Sequence, residues 1–78
     1  MIDITAVNNT IRVTNSQTGD SQEYPKGEVN FRYKKVDGAN DSVTVWSNGY
    51  EDNFLFQDVD SPATANSAAL MTAINALL

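Results

Sequence analysis

Residues 54–78 read FLFQDVDSPATANSAALMTAINALL, and within them the spacing of the apolar side chains changes. Phe54, Leu55 and Phe56 form a short run that suits a strand apolar on both faces. Further on, Leu70, Ala73, Ile74 and Leu77 recur at intervals of three and four, the period of one helix face. Ser61 followed by Pro62 predicts the helix start, because a Ser hydroxyl caps free N–H groups and Pro loses nothing at the first helical position. Asp58 and Asp60 place negative charge near that expected N-terminus. Ala63, Ala65, Ala68, Ala69, Ala73 and Ala76 let the helix backbone approach a sheet closely, with Thr64, Ser67 and Asn75 expected to face outward. The helix is expected over residues 61–78, and no capping Gly follows Leu77 and Leu78, whose apolar atoms call for cover.

Upstream the period is two. Ile2, Ile4 and Ala6 alternate with Asp3 and Thr5, Asn8-Asn9 suits a tight turn, and Ile11 and Val13 resume the alternation, so a hairpin is expected. Residues 15–28 are polar and hold Gly19, Asp20, Pro25 and Gly27; they read as a loop with a brief extended piece around Glu23 and Tyr24. From Val29 to Val36, Val29, Phe31 and Tyr33 share one face and Asn30, Arg32 and Lys34 the other. Asp37-Gly38 predicts a turn, and Val43, Val45 and Trp46 a strand that stops at Ser47-Asn48-Gly49. The expected fold is α+β in a single domain. An antiparallel β-meander of about five strands, as a sheet or partly open barrel, occupies residues 1–60, with one C-terminal helix packed on it over residues 61–78.

Seventy-eight residues bury only about 60% of the surface that the unfolded chain exposes, so the core is thin. With no Cys and no His, neither a disulfide nor the commonest transition-metal ligands can reinforce it. Oligomerisation or docking on a partner remains. Ten acidic against five basic residues, net −5, argue against nucleic acid as the main partner. There is neither a run of 18 apolar residues nor a basic and apolar leader after Met1. The expectation is a stand-alone protein made in the cytoplasm, neither membrane-spanning nor exported by a signal peptide.

The same composition speaks against catalysis. Without His or Cys the usual activating base and the best nucleophile are missing, and Lys26, Lys34 and Lys35 sit among solvated charges, a poor setting for a Ser–Lys pair. Asp58 with Asp60 suits a helix start, and Asp37 with Asp41 suits a turn, better than either suits acid–base work. Residues 37–42 (DGANDS) have a slight look of a calcium loop, but Gly38 stands second and Ala39 third, where that loop needs Gly sixth and an oxygen ligand third. Alternation separates Phe31 and Tyr33 from Arg32 and Lys34, so a core face and a solvated face explain them better than nucleic-acid stacking does. No catalytic, cofactor-binding or metal-binding residue is expected, and no cofactor. Candidate protein contacts are Trp46, Asn48 and Tyr50 at the end of the second hairpin, with Leu77 and Leu78 at the helix end. For Trp46, packing under the helix is the equal alternative.

The order of parts, a short meander closed by Phe54-Leu55-Phe56 and then SPATANSAALMTAINALL, resembles small accessory proteins of tailed-bacteriophage virions. The likeness rests on Ser61, Pro62, Ala63 and Thr64 entering the helix and on Leu70, Ile74 and Leu77 along it, and covers about the last third of the chain. It implies a capsid-associated auxiliary or decoration protein, located in the virion and held in many copies to a protein lattice, the major capsid or another virion protein, or to itself. It transfers no catalytic residue. The alternative is a small acidic regulatory or inhibitor protein that occupies a basic site on a host protein.

Overall fold

The computed structural model describes residues 1–36 and 40–78. The turn expected at Asp37-Gly38, and with it half of the calcium-like loop, lies outside the described residues. The elements are β1 (Ile2–Val7), β2 (Thr10–Asn15), β3 (Ser21–Pro25), β4 (Asn30–Lys34), β5 (Ser42–Ser47), β6 (Tyr50–Leu55), a 3-10 turn (Phe56–Asp58), β7 (Val59–Ser61) and α1 (Ser67–Leu77). The α+β class holds, but the strands form two sheets, ordered β3-β2-β1-β7 and β4-β5-β6. Each sheet contains a three-strand antiparallel meander, and β7 is added to the first of them parallel to β1.

The expectation of about five strands is corrected to seven among the described residues. β3 is polar because an edge strand needs few inward apolar residues: Tyr24, opposite Ile11, is buried while its strand neighbours are exposed. β7 has three residues, too few for a period to register.

Two Asn-bearing turns set the hairpins. Asn8 takes φ 54°, and Asn48 and Gly49 take φ 49° and 86°. Positive φ at both central residues gives the turn whose twist matches the flanking strands, and Asn followed by Gly is the sequence that tolerates it best. The register then follows: Val45 lies between Phe31 and Asp52, and Trp46 between Asn30 and Glu51.

Inward residues of both sheets meet in one core of Ile4, Ile11, Val13, Tyr24, Val29, Val43 and Val45, closed by Leu70 and Ile74 of α1. The helix stripe thus docks as its spacing predicts, with Leu77 half-buried against the same core. Its start is corrected. Ser61 completes β7 opposite Asp3, and Asn66 caps the helix instead, its Oδ1 accepting the Ala69 N–H at 2.8 Å. Asn caps as well as Ser does, so the local preference is met five residues later. Asp60 meets the Met1 amino group, and the first turn of α1 carries no acid. Ser67, expected to face solvent, is buried and donates its hydroxyl to Asp41 at 2.5 Å.

Candidate interaction face

Alternation in β5 turns Val43, Val45 and Ser47 to the core and leaves Ser42, Thr44 and Trp46 on the opposite face. Through the ladder, that outer face also carries Asn30, Arg32 and Lys34 of β4 and Glu51, Asn53 and Leu55 of β6. None of these residues is buried, so the face is uncovered. Trp46 sits on its middle strand. Asn30 is its direct cross-strand neighbour, and Arg32 lies diagonally beyond, within reach of a long side chain. The Arg32 guanidinium stacks over the indole at 4.9 Å from the ring centre. Such a stack contributes about 0.5–1 kcal/mol at an exposed site and more when desolvated. Beside it, Thr44 donates to Asn53 Oδ1 at 2.5 Å.

The hairpin residues expected to act together are split by this register. Tyr50 lies opposite Ser47 on the inner side of β6, 44% exposed, with its ring 5.8 Å from that of Tyr24. Asn48 is exposed at the turn. Leu78 is exposed at the end of α1, while Leu77 turns to the core. Trp46 therefore faces away from the core and is not packed under the helix. Arg32 had the signal of a solvated charge, and the cross-strand register alone reveals its partner.

Between the inner faces, on the side where β3 lies near β6, a cleft of about 570 Å³ remains. Its floor includes Ile2, Val13 and Phe54, and its rim carries the carboxylates of Asp20, Asp52 and Asp58. Tyr24 borders it. Burial, then the neighbouring Tyr50 hydroxyl and the Asp52 carboxylate, push the Tyr24 phenol well above its ordinary range. The folded state holds that proton more tightly than the unfolded chain does. Above about pH 10 the unfolded chain releases protons that the folded one keeps, so the stability is full below that pH and falls as pH rises. Thermal denaturation on either side of about pH 10 should show this loss, and Tyr24→Phe should reduce it.

Among the described residues no group of three His, Cys, Asp or Glu side chains is placed to hold a metal ion. None of the described helices is long and apolar enough to cross a membrane. No protein-family model, curated protein or solved structure matches the chain.

Proposed function

We propose that the chain is a non-catalytic structural protein of a phage particle, an auxiliary or decoration protein bound in many copies to the capsid or another virion lattice. The observation that carries the contact role is the uncovered outer face of β4-β5-β6 with Trp46 stacked under Arg32. Trp and Arg are the residue types enriched at the energetic centres of interfaces, and a ring of polar neighbours that excludes water is their usual setting. Asn30, Thr44, Glu51 and Asn53 supply that ring. The phage setting comes from the likeness in the order of parts. Of the residues that carried the likeness, Leu70, Ile74 and Leu77 lie along α1, while Ser61 to Thr64 precede it. A thin core suits a protein whose folded state is stabilised by binding.

Trp46 is the chain's one tryptophan, so its emission reports this face directly. In the free chain acrylamide should quench it readily. Bound to particles, the emission should shift to the blue and become protected, and binding should persist at high salt. The acidic rim of the cleft favours the second reading, a regulator of a basic host site. Binding that leaves Trp46 quenchable and collapses as salt rises would support that reading instead.

A further inference from the structure

We infer that copies of this chain associate head to tail, the free edge of β4 in one copy joining the free edge of β6 in the next. The inference deepens the proposed structural role by naming one partner of the lattice, a second copy. β4 and β6 are the two edges of their sheet, and among the described residues neither takes a backbone hydrogen bond from any strand but β5. An open edge is a template for strand addition, and what it admits depends on the charges it carries. Here the two edges differ in sign. Arg32, Lys34 and Lys35, three of the chain's five basic residues, lie on β4 or directly after it, with no acid in that strand. β6 carries Glu51 and Asp52 and no base, and Asp20 and Asp58 lie on the same cleft rim as Asp52. Arg32, Lys34 and Lys35 on one edge and Glu51 and Asp52 on the other are exposed. The helix packs against β4 and β1 and places Leu70 and Ile74 in the core, but among the described residues it makes no backbone hydrogen bond to β4 and so does not replace a strand there.

The charge pattern selects the symmetry. A two-fold contact would set β4 against β4 or β6 against β6, placing like charges opposite one another, which is destabilising. Joining β6 to the β4 of another copy puts opposite charges together and is heterologous, so it builds a ring or a filament. β4 and β6 run parallel within the sheet, because each is antiparallel to β5. Continuing the sheet therefore gives a parallel junction that keeps inner and outer faces aligned. A stagger of about two residues, which preserves the faces, sets Arg32 beside Glu51 and Phe31 beside Tyr50 of the neighbouring copy.

The test is sedimentation equilibrium of the full chain and two charge-reversed variants. One variant carries Lys34→Glu and Lys35→Glu, which leaves the Arg32 stack intact; the other carries Glu51→Lys and Asp52→Lys. At low salt the wild-type mass should rise with concentration above 8.5 kDa and return to that value at high salt. Each variant alone, having two edges of the same net sign, should remain at the monomer mass. An equimolar mixture should associate again, at least into pairs, because the unaltered β6 of the first variant meets the unaltered β4 of the second and restores the wild-type junction. Thermal melts check folding, and Glu51→Lys alone replaces the double variant if that one fails to melt cooperatively. A wild-type mass that stays monomeric at low salt, a variant that associates alone as the wild type does, or a folded mixture that stays monomeric overturns the inference. A chain that is monomeric alone yet loads on particles with Trp46 protected sinks the head-to-tail contact and leaves the structural role standing.

Discussion

Replacing Asp41 by Ala should lower the unfolding free energy by roughly 3 kcal/mol. Asp41 is 2% exposed, and its carboxylate accepts the Val36 N–H at 2.8 Å and the buried Ser67 hydroxyl at 2.5 Å. One side chain thus ties the end of the β4 segment to the first residue of α1. Truncation leaves the buried Ser67 hydroxyl and the part-buried Val36 N–H without their acceptor, and a fully buried loss of this kind costs about 1–3 kcal/mol. A domain of this size has a total stability of roughly 4–12 kcal/mol, so the change removes a large part of it. The Asp41 carbonyl still accepts the Phe56 N–H at 2.7 Å in the variant, so the β5 and β6 ends stay joined while the helix start is released. Ser67→Ala, which removes one hydroxyl and strands no backbone group, should cost less, about 1 kcal/mol. Urea denaturation of the two variants measures both values. An unchanged midpoint for Asp41→Ala would mean that the helix start is held elsewhere.

The second large effect is expected at Leu70. It is fully buried in one core with Ile74, Ile4, Val43 and Val45, so α1 closes a core shared by both sheets. Leu70→Ala removes the buried side chain and leaves a cavity, a change that costs about 3–5 kcal/mol where the surroundings cannot collapse. Leu78→Ala is the contrast. Leu78 is 44% exposed, and its truncation should change stability by less than about 0.5 kcal/mol. A loss of the same size at both positions, measured by urea denaturation, would show that the helix is not anchored through its Leu70 stripe.

Much of this arrangement is legible in the residues because alternation and turn chemistry agree. Ile4, Ile11 and Val13, and later Val43 and Val45, point inward as their spacing requires, and Asn48-Gly49 sets the register of β5 with β6. The helix stripe is legible for the same reason, since Leu70 and Ile74 lie one turn apart. What escapes are features decided by distant partners. β3 and β7 exist because β2 and β1 offer open edges, and neither strand has an apolar period of its own. The helix begins at Ser67 because Ser61 is taken by β7 and Asn66 supplies an equal cap. Ser67 is polar in any periodic reading, and only the fold brings it against Asp41 across 26 positions. The candidate face divides in the same manner. Trp46 stands out as a large aromatic near a turn, whereas the Arg32 above it needs the cross-strand register, which the sequence leaves open.

The contact role is tested most directly by the copy number of the chain in purified phage particles, wild type against Trp46→Ala. The wild type should be present in many copies per particle, and Trp46→Ala should remove most of them while leaving the isolated chain folded. Absence of the wild-type chain from particles, or equal loading of the folded Trp46→Ala chain, would contradict the role assigned to the outer face of β4-β5-β6.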